Sequence, residues 1–383
     1  MAKQPYILYG AYASYYTAKV RSYLRKKGIP FQERLPSDPL FRSLVRPTSG
    51  SHRIPQLLTP QQAVIQDSIA IVDALEVEFP EIPALPKSPA QRLYVHLMEL
   101  LGSEGLLSLA WRHRWLFDEN LTFIKRDFGR SFEPQGDDQA LMKYGQLIAD
   151  RMTSYGLPPT TPDVQAELDT QYMALIGLFE NHLMSHPYLL GGHPSQADYS
   201  LMGALHAHMG RDPAGLRLLQ LHGPRTFRWV EHMLTPDVQS PEFFDRPIVY
   251  PDHDEVPDSA MAILNWIAST FGEPLVLNLH AYAVACKEGS IQPGACIDEA
   301  RDQPLLVAQK INLQGAPHTH RAQIYAVWLS QRFQRHMATL STEDKARLKD
   351  HFSHPAVAAL LSAPVGHSLA RRDQRFYAES IKL

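Results

Sequence analysis

The chain has 383 residues, of which 44% are hydrophobic and 20% charged, and its net charge is −3. A chain of that size holds two or three domains, and the composition is that of an ordinary soluble globular protein. A near-neutral balance implies no basic face for nucleic acid, and the arginine-rich spots at 112–114 and 370–375 read as solvated faces.

Residues 5–9, "PYILY", read as a first strand, and "SYYTAKVRSYLRKKG" as a helix capped by Ser14 and closed by Gly28. "IPFQERL" is a second strand, and "FRSLVRPTSGSHR" is irregular or briefly helical. Ile54–Leu58 and Ala63–Ile65 flank "TPQQ" and predict a hairpin. It opens on Pro55, a residue with no backbone donor to give a paired strand. Ser68 then starts a helix running to about Phe79 and reads as its N-cap. A helix between the first two strands predicts a parallel, right-handed crossover, so the unit is a small mixed four-stranded sheet.

"PEIPALPKSP" reads as a stiff linker. Beyond it, helical periodicity runs through 90–110, 163–184, 196–209 and 224–234. A second proline-rich stretch covers 235–258, and helical patterns return at 259–287, 318–339 and 342–352. The domains expected are 1–86, 87–240 and a helical extension, 241–383, packed on the helical domain.

Four segments together resemble the glutathione S-transferase superfamily. "LYGAYASYYTAKVRSYL" is similar to its first strand, active-site loop and helix, and "RIPQLL" to its cis-proline segment. "QDSIAIVDAL" resembles its glutathione-binding acidic-or-amide plus serine pair, and "YLLGGHPSQADYSLMGAL" its capped core helix. The resemblance covers roughly residues 5–235 and implies an α+β fold, a thioredoxin-like N-terminal domain followed by an all-helical one. It implies a cis bond at Pro55 that turns the Ile54 backbone toward the cysteinyl part of glutathione, where an extended ligand adds as a strand would.

The same resemblance places Asp67 on the ligand's ammonium, with Gln66 as a nearby alternative. It places Ser68 on the carboxylate, where a helix N-terminus also attracts a negative charge. A free thiol titrates near ~8.5, so an enzyme of this kind must stabilise the thiolate. Ser14 stands where serine-type members carry their hydroxyl, and Tyr15 or Tyr16 can supply it instead. No cysteine stands there, which argues against glutaredoxin-like chemistry.

Other signals are weaker. His206 and His208, and likewise His318 and His320, sit two apart on predicted helices and so on different faces. "WRHRW", 111–115, reads as core packing before acceptor contacts, and Asp198 of "SQAD" as half of a capping box with Ser195. Cys286 and Cys296 cannot staple a chain this long, which points to a reducing cytoplasm. No stretch reaches the roughly 18 to 20 apolar residues of a membrane span, and the N-terminus lacks the apolar core of a signal peptide.

The function implied is a cytoplasmic, homodimeric detoxifying transferase using glutathione as co-substrate against a small hydrophobic electrophile. The other reading is a non-catalytic glutathione-binding or scaffold protein of the same fold.

Overall fold

A computed structural model describes residues 5–154, 160–297, 309–313, 316–320, 323–372 and 375–380, with backbone alone at 309–313 and 316–320. The first unit runs β1 (Tyr6–Tyr9), α1 (Tyr15–Lys26), β2 (Phe31–Arg34), a π-helical turn (Phe41–Val45) leading into α2 (Arg46–Ser49), β3 (Gln56–Leu58), β4 (Val64–Gln66) and α3 (Ser68–Glu78). The sheet order is β2-β1-β3-β4. The first pair is parallel and the other two antiparallel, as the crossover and hairpin require. Ser14 caps α1, its hydroxyl accepting from the Thr17 amide. Gly28 follows the helix at φ +64°, a conformation glycine adopts without steric cost. Pro55 escapes the conflict that the sequence raised, because pairing in β3 begins only at Gln56.

The helical part comprises α4 (Pro89–Leu100), α5 (Leu107–Trp115), α6 (Asp118–Gly129), α7 (Asp138–Thr153), α8 (Pro162–His182), α9 (Gln196–Met202), α10 (Pro213–His222) and α11 (Pro224–His232). A π-helical turn at Leu101–Gly105 breaks the run predicted over 90–110, and α6 and α7 were not marked by periodicity. Asp198 is fully buried and forms the predicted capping box with Ser195.

Beyond residue 232 come α12 (Asp258–Phe271), α13 (Glu273–Lys287), β5 (Gln309–Leu313), β6 (Ala316–His320), α14 (Ile324–Thr339), α15 (Thr342–His351), α16 (Pro355–Ser362), β7 (Ser368–Arg372) and β8 (Arg375–Glu379). Two antiparallel strand pairs, β5–β6 and β7–β8, thus stand in the extension expected to be helical. His318 and His320 lie on a strand, and the helix predicted from 318 begins at Ile324. Among the described residues no single helix is long and apolar enough to cross a membrane.

Both proline-rich stretches are tied down. Lys27 Nζ donates to the carbonyls of Phe79, Glu81 and Ile82 at 2.9, 2.9 and 3.0 Å. The Asp254 carboxylate accepts from the amides of Ala90 and Gln91, satisfying free donors at the start of α4. An ion network, buried at Lys19 and Glu99, then joins the units. Lys19 of α1 meets Glu99 of α4 at 2.7 Å, and Arg332 of α14 meets Glu99 at 3.2 Å and Asp73 of α3 at 2.6 Å. The apolar core is continuous from the sheet through the helices into α14 and the β7–β8 hairpin.

Candidate active site

The strand register gathers the predicted segments. Tyr9, at the end of β1, pairs with Gln56, and Gln56 pairs with Gln66 at the end of β4. The loop carrying Ser14, the Ile54-Pro55 step and the start of α3 therefore meet at one end of the sheet. The Ile54-Pro55 peptide is cis, and the Asp67 amide donates to the Pro55 carbonyl at 3.3 Å. Among the described residues, neither the N–H nor the C=O of Ile54 takes a hydrogen bond. A half-exposed backbone segment with both groups free can pair with an extended ligand.

Two arginines hold the Ser14 loop from beneath. Arg21 Nη2 donates to the Ala11 carbonyl at 3.1 Å while the same guanidinium pairs with Glu33. Arg114 Nη1 donates to the Ala13 carbonyl at 2.6 Å, with Nε on Asp212 at 2.7 Å and Nη2 on the Ala207 carbonyl. Arg114 and Asp212 are 2% and 0% exposed, so this charge pair is desolvated on both sides. Ala13 also joins an apolar cluster with Trp115, Ile124, Phe128 and Ala149, in which the Trp115 and Phe128 rings stack at 5.9 Å. Within "WRHRW", then, the second arginine and the second tryptophan both reach the loop or its wall.

The neighbouring tyrosines differ. Tyr12 is exposed, its ring 4.1 Å beneath the Arg21 guanidinium. Tyr15 is buried and donates to the Gly102 carbonyl at 2.5 Å. Its ring lies so close to Gly203 that a Cβ there would sit 2.3 Å away, so it pegs the two domains together. Tyr16 is half-buried and donates to Glu104 Oε1 at 2.9 Å. Burial, and then the Glu104 charge, push the Tyr16 hydroxyl well above its usual range, so it stays a donor. Burial pushes Glu104 up to about 8; the hydrogen bond from Tyr16 opposes this and the nearby Asp67 adds to it. Glu104 is thus largely protonated at neutral pH.

At the other end, Asp67, not Ser68, is the N-cap of α3. Its Oδ1 accepts from the amides of Ile69 and Ala70 at 2.9 and 3.3 Å, which makes Ser68 the first helical residue. A carboxylate one residue earlier reaches the free amides as well as a serine would. Asp67 has φ +91° and ψ 140°, a conformation costing roughly 1–3 kcal/mol that persists where surroundings impose it, often at functional sites. The Ser68 hydroxyl is buried with no hydrogen-bond partner among the described residues.

Two residues that no sequence expectation placed at the site also reach this corner. Tyr325 donates to Asp67 Oδ2 at 2.9 Å. Arg371 Nη1 donates to the Gln66 carbonyl at 3.2 Å, its Nη2 bonds Gln66 Oε1, and Nη1 stands 3.7 Å from Asp67 Oδ1. They come from 258 and 305 residues along the chain, with no local pattern to announce them.

Residues 8–83 match the family profile described as glutathione S-transferase, N-terminal domain, and residues 162–232 match that of the glutathione S-transferase C-terminal domain. The chain carries the N- and C-terminal domains of the glutathione S-transferase superfamily. Its fold is the thioredoxin-like domain of that superfamily followed by the helical one. A long extension beyond residue 232 is added to the transferase domains. Over 138 residues the chain is 29% identical to a probable maleylacetoacetate isomerase of Caenorhabditis elegans; the match spans 35% of this chain and 62% of that relative. A glutathione transferase of Phanerochaete chrysosporium covers 62% of the chain and 98% of its own length, at 17% identity and a TM-score of 0.45. One of Ceriporiopsis subvermispora, solved in complex with glutathione, covers 65% and 100%, at 16% identity and a TM-score of 0.40.

Proposed function

We propose that this transferase-family protein binds glutathione across the end of its sheet and activates the thiol for attack on a hydrophobic electrophile. The observation that carries the reading is the unpaired backbone of Ile54, set by the strand register between the Ser14 loop and the start of α3. In this reading Ile54 pairs with the cysteinyl backbone and Pro55 fixes the turn. Ser68 and the positive end of α3 take the γ-glutamyl carboxylate, and Asp67 faces the ammonium.

Ser14, at the N-terminus of α1, stabilises the thiolate together with the positive end of that helix. Tyr16 is the other candidate donor, once its hydroxyl turns from Glu104 to the thiolate. Tyr15 is spent on Gly102 and serves the domain interface. The apolar cluster beside Ala13 walls the acceptor. We further propose a cytoplasmic homodimer, as the resemblance implies, with domains at 1–86, 87–240 and 241–383.

Calorimetry with glutathione, followed by turnover of a chlorinated aromatic and of a cis-enone of the maleylacetoacetate kind, tests this. Binding with turnover of either supports a transferase or an isomerase. Binding alone supports the second reading, a glutathione-binding or scaffold protein, which the burial of Asp67 and Ser68 beneath the extension favours. Absence of binding sinks both.

A further inference from the structure

The two halves of the γ-glutamyl corner are in different states. The carboxylate half is open to a ligand in its chemistry: the Ser68 hydroxyl is buried without a partner at the N-terminus of an 11-residue helix. The ammonium half is already satisfied. Asp67 spends Oδ1 on two α3 amides and Oδ2 on Tyr325. Gln66 spends both its backbone and its side-chain oxygen on Arg371. The Arg371 guanidinium also stands 3.7 Å from Asp67, the place a ligand ammonium would take. Its position is set from behind, over the rings of Trp328 and Phe376 at 5.8 and 5.7 Å. Tyr325 packs on the same two rings, at 5.6 and 6.3 Å.

We propose that Arg371, with Tyr325, occupies the ammonium position from within the chain, so that this site selects ligands by their carboxylate and is indifferent to an α-amino group. The inference rests on the glutathione reading above and adds a specificity rule to it. A cation and a hydroxyl donor supplied in cis satisfy Asp67 and Gln66 before any ligand arrives. A ligand ammonium then gains nothing unless it displaces Arg371, and like charges held close oppose each other. A ligand ending in a carboxylate alone meets the Ser68 hydroxyl, the positive end of α3 and a nearby guanidinium. The acids and γ-acyl thiols of this chemistry, lacking the amino group, are therefore accepted as well as glutathione.

The test compares glutathione with its desamino analogue, glutaryl-cysteinyl-glycine, by calorimetry on the full chain and on Arg371→Gln. The wild type is expected to bind the two within about threefold. Arg371→Gln is expected to prefer glutathione roughly tenfold, because the ammonium then meets Asp67 with no competing cation beside it. Tyr325→Phe should move the ratio in the same direction by less, and thermal melts establish that both variants are folded. A wild type that already prefers glutathione tenfold overturns the inference, as does a ratio that Arg371→Gln leaves unchanged; in both cases the glutathione reading stands. If neither peptide binds either protein, the inference falls together with that reading.

Discussion

The thiol end and the γ-glutamyl end of this site are built by opposite means. The Ser14 loop is held from beneath by Arg21 and Arg114, whose side chains are 0% and 2% exposed. The Asp67 corner is closed by the extension through Arg371, 15% exposed, and further along α3 Arg332, 14% exposed, holds Asp73. The same kind of residue thus does two jobs. A desolvated arginine with a buried partner fixes a backbone, because removing either charge leaves the other stranded. A part-exposed arginine makes a contact that water can replace, so it can be displaced without unfolding the domain.

Breaking the buried side should have the largest effect. Arg114→Ala leaves Asp212 uncompensated and frees the Ala13 carbonyl, and should cost about 3–5 kcal/mol. Denaturant unfolding measures this, and a loss below about 1 kcal/mol would mean the pair is no deeper in its effect than a surface one. The comparison predicts much less for Arg332→Met. Asp73, 44% exposed, is rehydrated and Glu99 keeps Lys19, so about 1 kcal/mol is expected.

At the ligand, Ser68→Ala should weaken glutathione binding about ten- to a hundredfold, the worth of a charge-assisted hydrogen bond. The free protein should lose no stability, since that hydroxyl has no partner to lose. Unchanged affinity by calorimetry would remove the carboxylate assignment. Ser14→Ala should raise the pKa of the bound thiol by about one unit, about 1.4 kcal/mol, with affinity nearly unchanged. Ultraviolet thiolate absorbance against pH reads this. If the titration moves in Tyr16→Phe and not in Ser14→Ala, the donor is the tyrosine and Ser14 is only a cap.

The last effect is a slope. The folded protein holds a proton on Glu104 up to about pH 8, against an unfolded carboxyl that releases it near 4.5. Between those values the folded state binds more protons, so this contribution to stability is full below about pH 4.5 and is lost as pH rises through about 8. Melting temperatures of the wild type should therefore fall relative to Glu104→Gln between pH 5 and 8. Parallel curves would place Glu104 ionised in the fold.

Much of this was legible in the sequence because it is local. Ser14 before an apolar helical stretch, "TPQQ" between two short runs, and "SQAD" ahead of a core helix each act within a few residues. The cap, the hairpin and the capping box formed where those patterns predicted. The α3 cap moved by one residue because Asp67 and Ser68 are both good caps, and the backbone at φ +91° puts the aspartate in reach of the amides.

What only the tertiary structure decided is everything that depends on charges and rings meeting across the chain. Arg114 reads in sequence as one basic residue in "RHR", yet burial against Asp212 makes it the support of the Ser14 loop. Tyr15 and Tyr16 are adjacent and chemically alike, and packing alone gave one hydroxyl to Gly102 and the other to Glu104. Arg371 sits in a stretch whose composition reads as a solvated face, and it turns inward because β7 lies against α14 and its aromatic side chains. Local propensity sets elements within a few residues of one another. The partner of a charge 305 residues away is chosen by how those elements pack.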